Sequence, residues 1–208
     1  VKKNIAIVGA GPAGLATAMA AVERGHTITI FDKFDEIGGQ LNMAKQVPGK
    51  EEFWGLVDWY RTMIAEMGIK TELGRTVVAD DLTGYDEVIV ATGVLPRDTD
   101  IPGQDGDNVL SYIDVLRHKA PVGKRVTVIG AGGIGFDVSE FLAHEGDSPT
   151  ENLPAWMREW GVTDPSEHRG GLAPEGPQPE PAAREITLVQ RKTEKHGKRR
   201  GKTTGWIH

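Results

Sequence analysis

The sequence predicts an α/β protein made of two strand, glycine turn, helix, strand units in series, on three observations. Short apolar runs lead into glycine clusters at Gly9-Ala10-Gly11-Pro12-Ala13-Gly14 and again at Gly130-Ala131-Gly132-Gly133-Ile134-Gly135. Each cluster is followed by apolar residues at helical spacing. A second β-branched run then follows each helix, which is the order of a parallel βαβ unit.

Lys3 to Val8 is the first strand, and Leu15, Ala18, Met19 and Val22 mark one face of the helix behind the first turn. Gly25 stops that helix, and Thr27-Ile28-Thr29-Ile30-Phe31 is a strand ending at Asp32. Residues 51 to 67 place Phe53, Leu56, Val57, Tyr60, Met63, Ile64 and Met67 at spacings of three and four, an amphipathic helix closed by Gly68. Ile69 to Leu73 and Glu87 to Ala91 are further strands, the second a nearly continuous apolar run of the kind buried on both faces. After a polar stretch with Pro96 and Pro102, Val109 to Lys119 reads as a short helix. Lys124 to Ile129 then opens the second unit, in which Ile134, Val138, Phe141 and Leu142 mark a helix face and Glu185 to Val189 is a strand. Residues 147 to 184 hold seven of the twelve prolines, which forbids a long helix there, although Leu153 to Trp160 has room for one or two turns. The expected domains are 1–115 and 120–208, the second interrupted by an insertion at about 147–184. The chain is expected to be a fragment, with both folds incomplete on their C-terminal side: it starts directly on a strand without methionine, its second fold has only strand, helix and strand, and it stops at His208 in mid-domain. An incomplete sheet edge is expected to leave the chain marginally stable.

A strand leading through G-x-G-x-x-G into a helix aims backbone N–H groups and the positive end of the helix dipole at one point, where a pyrophosphate can sit. The first glycine permits the tight turn, the second removes a side chain that would block the ligand, and the third lets helix and strand pack closely. The first copy has every part of this Rossmann-like device, including an acid 18 positions beyond Gly14, Asp32, able to accept hydrogen bonds from ribose hydroxyls. Gly9, Gly11, Pro12, Ala13, Gly14 and Asp32 are therefore candidate dinucleotide contacts, and Lys33, Arg61 and Val78 are added to the cofactor-binding set.

In the second copy Gly130, Gly132, Gly133, Ile134 and Gly135 take the same roles, but the following strand ends in Gln190-Arg191-Lys192. A carboxylate there would repel a 2′-phosphate, whereas Arg191 and Lys192 attract one, so this site is expected to prefer NADPH to NADH. The 56 positions from Gly135 to Arg191 require the insertion to loop out of the βαβ unit. The basic segment Arg191 to Lys202, with seven Lys or Arg and one Glu, is not a P-loop, since three residues rather than four separate Gly197 from Gly201. It is a solvated basic face or a lid over the nucleotide phosphates. Trp156 and Trp160, one helical turn apart, are a packing pair.

Composition narrows the function further. A formal charge of −6 and the absence of aromatic interleaving in the basic segment argue against a nucleic-acid partner. No apolar run approaches the roughly 18 residues of a membrane span, and the N-terminus is not a signal peptide, so a cytoplasmic location is expected. The six histidines have no ligand spacing and there is no cysteine, so no metal site is expected here, nor an internal dithiol relay.

Two dinucleotide folds in series, Asp32, the segment Glu36-Ile37-Gly38-Gly39-Gln40-Leu41, and Val90-Ala91-Thr92-Gly93 after a strand resemble the two-dinucleotide flavoprotein family of pyridine nucleotide reductases. The resemblance implies FAD in the first site, with Gly39, Gln40 and Leu41 lying along it and Ala91, Thr92 and Gly93 closing over it. Within that family the chain is similar to the NADPH-dependent 2,4-dienoyl-CoA reductases of fatty acid β-oxidation. The stretches that carry this are Lys45-Gln46-Val47-Pro48-Gly49-Lys50-Glu51-Glu52-Phe53, Leu110-Ser111-Tyr112, Asp114-Val115-Leu116, Pro121-Val122-Gly123, Glu159-Trp160-Gly161, Gly170-Gly171-Leu172 and Gly201 to His208. This implies an oxidoreductase in which NADPH reduces FAD and electrons pass through an iron–sulfur cluster to FMN, both held in an N-terminal barrel domain that is not in this chain. No side chain is expected to act as an acid or base, because the flavin carries the redox chemistry. A related flavoprotein of the trimethylamine dehydrogenase or glutamate synthase small-subunit type, and a nucleotide-binding fragment without turnover, are the alternatives.

Overall fold

The computed structural model describes residues 1–197 and divides into two compact units, Val1–Lys45 with Glu51–Gly106, and Gln46–Lys50 with the chain from Asp107 onward. Residues 198–208, which include the end of the basic segment and the Gly201 to His208 stretch, lie outside the described residues. In the first unit β1 (Asn4–Val8), β2 (Thr27–Phe31), β3 (Lys70–Glu72) and β4 (Glu87–Val90) form one parallel sheet in the order β3-β2-β1-β4. Helix α1 (Pro12–Glu23) joins β1 to β2, and α2 (Leu41–Ala44) and α3 (Glu52–Glu66) lie between β2 and β3.

Strand register explains where the core sits. Ile5 pairs with Ile28 and Ile7 with Ile30, so these four share one face. Against it pack Leu15 and Ala18 of α1 and Val57, Tyr60 and Ile64 of α3, the stripe that the three-and-four spacing foretells. The other face is thinner: Phe31 meets Tyr85 edge-on at 5.9 Å between ring centroids, and the Arg75 guanidinium lies 5.5 Å from the Phe31 ring.

The expectation that Glu87–Ala91 is buried on both faces is corrected here. Val88 pairs with Ala6 and Val90 with Val8, which puts both on the face opposite the helices, where they are 41% and 73% exposed. Ile89, paired with Ile7, and Ala91 just beyond the strand pack against the core. β4 is the edge strand of the sheet, and its apolar run reflects the β-propensity of valine and isoleucine rather than two covered faces.

In the second unit β5 (Arg125–Ile129) and β6 (Glu185–Val189) pair in parallel, Arg125 opposite Glu185 through Ile129 opposite Val189. Helix α5 (Gly133–Ala143) connects them through the insertion. Helix α4 (Tyr112–Leu116) packs on α5 with Val115 and Leu116 buried, and the compact units divide at 106–107. Within the insertion α6 (Leu153–Trp160) is capped by the Asn152 side chain and ended by Gly161 in the left-handed conformation. Trp156 and Trp160 stack along it with ring centroids 6.2 Å apart. A side chain on Gly161 would meet the Gly176 carbonyl carbon at 2.4 Å, and the Ala173 N–H donates to the Gly161 carbonyl, which ties the two arms of the insertion together.

Candidate nucleotide sites

The two glycine turns are built to one pattern. Gly9 and Gly130 have φ of 117° and 116°, a region that favours glycine. Gly11 and Gly132 cap the following helices in extended conformation, at φ/ψ of −78°/178° and −92°/−174°. The Gly9 N–H donates to the Phe31 carbonyl at 2.7 Å and the Gly130 N–H to the Val189 carbonyl at 2.8 Å, each tying the turn to the end of the neighbouring strand. Close helix packing also repeats: a Cβ added at Gly14 would stand 1.9 Å from the Gly9 oxygen, and one at Gly135 would stand 1.8 Å from the Gly130 oxygen. Around Gly11, Gly132 and Gly133 a Cβ would meet nothing within 4 Å, so at those positions the missing side chain leaves space outside the protein rather than room for the protein.

That space is where an anion is favoured. The first intrahelical bonds are Leu15 N–H to Gly11 O at 3.0 Å and Phe136 N–H to Gly132 O at 3.1 Å, so the N–H groups of Ala13 and Gly14, and of Gly133, Ile134 and Gly135, precede the helical ladder. Pro12 at the first position of α1 has no N–H to lose. Neither helix carries an acidic residue in its first turn, which leaves the positive dipole end uncompensated.

In the first unit three further segments converge on the turn. The Asp32 carboxylate accepts from the Ala10 N–H at 2.7 Å and from the Phe34 N–H at 2.9 Å. The Gly38 N–H donates to the Ala10 carbonyl at 2.8 Å, and Gly39, with φ of 53°, lies so near that a Cβ there would stand 3.0 Å from Gly11 Cα. The Ala91-Thr92 peptide covers Gly9, whose added Cβ would stand 2.2 Å from the Ala91 oxygen. Gln40 donates to the Val94 carbonyl at 3.4 Å, and Leu41 packs on the core. Ala10 and Gly38 are the residues that sequence reasoning missed. A Gly-Gly pair marks a place where the backbone makes a close approach, and that signal was available for Gly38 as much as for Gly39.

Other candidates stand apart from this cluster. The Lys33 ammonium lies 5.1 Å from the Phe34 ring. Arg61 pairs with Asp58 on the exposed side of α3. The Val78 N–H donates to the Asp81 carboxylate at 2.9 Å and its carbonyl accepts from the Asp81 N–H at 3.1 Å, which leaves Val78 its 63% exposed side chain as a contact. Gly93, with φ of 73°, ends the Ala-Thr-Gly turn.

Because Phe31 and Val189 bind the two turns alike, Gln190 stands where Asp32 does and Arg191 where Lys33 does. The Gln190 amide does not turn to the glycine loop; its Nε2 donates to the Glu194 carbonyl. Among the described residues nothing accepts the Ala131 N–H, the counterpart of the Ala10 N–H that Asp32 holds. Arg191 is exposed, and the Lys192 ammonium lies 3.9 Å from the Glu194 carboxylate. At the opposite end of α5 a cleft of about 710 Å³ is lined by Glu140, Glu145, Asp147, Glu159 and Glu180 among others, a charge unsuited to phosphates. Among the described residues no group of three or more His, Cys, Asp or Glu is gathered to hold a metal, and no helix is long and apolar enough to cross a membrane.

Comparison with known proteins agrees with this geometry. The family model described as pyridine nucleotide-disulphide oxidoreductase matches residues 3–194. The chain is 35% identical over 156 residues to an NADH oxidase of Thermoanaerobacter brockii, covering 72% of this chain and 24% of that protein. It is also 35% identical over 156 residues to the glutamate synthase [NADPH] small chain of Bacillus subtilis, covering 65% and 31%. A solved structure of a 2-naphthoyl-CoA reductase in complex with 2-naphthoyl-CoA has a similar fold, with a TM-score of 0.67 at 23% identity over 91% of this chain and 33% of that one. The chain thus spans about a quarter to a third of the lengths of these proteins.

Proposed function

We propose, from the premise that the chain belongs to the pyridine nucleotide-disulphide oxidoreductase family, that its first unit holds FAD, its second holds NADPH, and together they form the electron-entry part of a larger reductase. The observation that carries this is one backbone device built twice with opposite chemistry behind it, an acid at Asp32 and an amide followed by two cations at Gln190-Arg191-Lys192. The first site fits a flavin dinucleotide: Gly11 leaves the approach open, Ala13 and Gly14 offer N–H groups to a pyrophosphate, and Asp32 keeps unused acceptor capacity for a ribose hydroxyl. Gly39, Gln40 and Thr92 border the same opening. When bound, the flavin accepts a hydride and passes electrons on, and this chain's part is to bind and orient.

In the second site Gly132, Gly133 and Ile134 face the pyrophosphate, and Arg191 and Lys192 take the 2′-phosphate. The family does not decide between nucleotides, since one relative is named for NADH and another for NADPH. The residues at 190–192 favour NADPH. The chain has no cysteine, so it supplies neither a dithiol nor a ligand for an iron–sulfur cluster, and electrons leave for a partner domain. The finer reading is a 2,4-dienoyl-CoA reductase type, whose partner is a barrel domain with FMN and the cluster. The 35% identity to a glutamate synthase small chain favours a second reading, in which the partner is a different enzyme.

The test is an anaerobic absorbance scan of the chain with FAD, followed by NADPH and, separately, NADH. Flavin bleaching much faster with NADPH than with NADH is expected, and Arg191→Ala with Lys192→Ala is expected to remove most of that difference. Bound flavin that neither nucleotide reduces would reject electron entry by this chain.

A further inference from the structure

The basic turn after β6 carries a counter-charge of its own. Gln190, at the position of Asp32, closes the turn by donating its amide to the Glu194 carbonyl. That bond anchors the Glu194 backbone, and its carboxylate then faces Lys192 Nζ at 3.9 Å. The acid is the more covered partner, its side chain 27% exposed against 47% for the lysine. At 3.9 Å the two form an ion pair without a hydrogen bond, so the carboxylate offers the ammonium the same charge complement that a phosphate monoester would.

We propose that Glu194 is a specificity-determining residue of the second site: held by Gln190, its carboxylate occupies Lys192 in the absence of nucleotide and must yield before that lysine can take a 2′-phosphate. This rests on the reading of the second unit as an NADPH site. Two consequences follow from charge alone. An incoming 2′-phosphate loses affinity by displacing Glu194 and by lying near a like charge, whereas a nucleotide with a free 2′-hydroxyl does neither. Single charges about 4 Å apart near a surface interact strongly enough to change binding roughly three- to ten-fold.

The experiment is calorimetric titration of the whole chain with adenosine 2′,5′-bisphosphate and with 5′-AMP, in wild type, Glu194→Gln, and Glu194→Gln combined with Lys192→Ala. Wild type is expected to bind the bisphosphate more tightly than 5′-AMP. Glu194→Gln is expected to tighten the bisphosphate roughly three- to ten-fold and leave 5′-AMP unchanged, and the double variant to lose that gain. A wild type that prefers the bisphosphate, with Glu194→Gln no tighter, overturns the role of Glu194 and leaves the NADPH reading standing. Equal tightening of both probes also overturns it, as a general charge effect. A wild type that does not distinguish the probes overturns the NADPH reading and the inference with it.

Discussion

Gly11 and Gly14 lie three residues apart in one turn, and the structure separates what each does. A Cβ at Gly14 would stand 1.9 Å from the Gly9 oxygen and 3.3 Å from Ile7 Cγ2. Carbon and carbonyl oxygen in contact lie about 3.3 Å apart, so α1 would have to retreat by about 1.4 Å. The Gly9 oxygen cannot yield easily, because Gly9 is tied to Phe31 by its N–H and covered by the Ala91-Thr92 peptide. Overpacking of this kind costs about 1–3 kcal/mol, and the better helix propensity of alanine returns about 0.5–1 kcal/mol. The net for Gly14→Ala is a loss of about 1–2 kcal/mol, or roughly 5–10 °C in Tm for a unit of this size. Gly11→Ala meets nothing within 4 Å and sits at φ −78°, so it is expected to cost under about 1 kcal/mol, the difference between glycine and alanine at a helix cap. Its methyl group points instead into the space where the pyrophosphate approaches, and FAD affinity is expected to fall at least tenfold, about 1.4 kcal/mol. Thermal unfolding by circular dichroism and FAD titration by flavin fluorescence give the two readouts. If Gly11→Ala lowered Tm as much as Gly14→Ala while keeping FAD affinity, the separation of packing glycine from ligand glycine would be refuted. Gly135→Ala and Gly132→Ala repeat the contrast in the second unit, at 1.8 Å and at no contact within 4 Å.

Asp32→Asn replaces an acceptor pair by one oxygen and one NH2 group that faces an N–H, so one of the bonds from Ala10 and Phe34 is lost. A loss of about 1–2 kcal/mol in urea unfolding, with weaker FAD binding, is expected, and an unchanged midpoint would show that Asp32 does not hold the turn. Val90→Lys, on the exposed face of β4, is expected to change stability by no more than about 0.5 kcal/mol, whereas Ile7→Ala on the helix-covered face is expected to cost about 2–4 kcal/mol; a costly Val90→Lys would mean that this face is covered. Hydrogen bonds from the Ser111 side chain first and its backbone N–H second hold the Asp114 carboxyl below its ordinary range. A depressed carboxylate stabilises above its unfolded-state value and loses that contribution as pH falls through the folded one. The Tm gap between wild type and Asp114→Asn is therefore expected near pH 7 and to close below about pH 4, and a gap independent of pH would reject the ionic cap.

Both βαβ units were legible in the sequence because their signals are local. The apolar runs before Gly9 and Gly130 and the helical spacing after them lie within a few residues of one another, and the strands 27–31 and 185–189 each carry their β-branched pattern within five residues. The insertion was legible from its prolines. What could not be read was anything set by neighbours distant in sequence. The apolar run at β4 looks the same whether one face or two are covered, and only its pairing with β1 shows Val88 and Val90 turned away from the helices. Likewise, Gly38 reaches Ala10 across 28 positions, a contact that follows from the close approach of two backbones rather than from any spacing rule. Val78 shows the reverse case: its main chain is satisfied locally by Asp81.

On the proposed reading, little has to change in the paired turns for one scaffold to serve two ligands. On that reading phosphate affinity comes from the backbone, from φ near +117° at the first glycine and from N–H groups ahead of the helix, those of Ala13 and Gly14 in the first unit and of Gly133, Ile134 and Gly135 in the second. Discrimination comes from the residue just beyond the strand that the first glycine grips. At Asp32 a carboxylate turns inward, accepts the Ala10 N–H, and presents the rest of its charge to a hydroxyl and against a phosphate. At Gln190 an amide turns outward to Glu194 and, among the described residues, nothing accepts the Ala131 N–H, so on the proposed reading the same place changes from repelling an anion to admitting one. Gln190→Glu alone is therefore expected to move the second site toward the preference of an acid-bearing one, weakening adenosine 2′,5′-bisphosphate while sparing 5′-AMP. An unchanged ratio of the two affinities would place the discrimination in Arg191 and Lys192 without help from position 190.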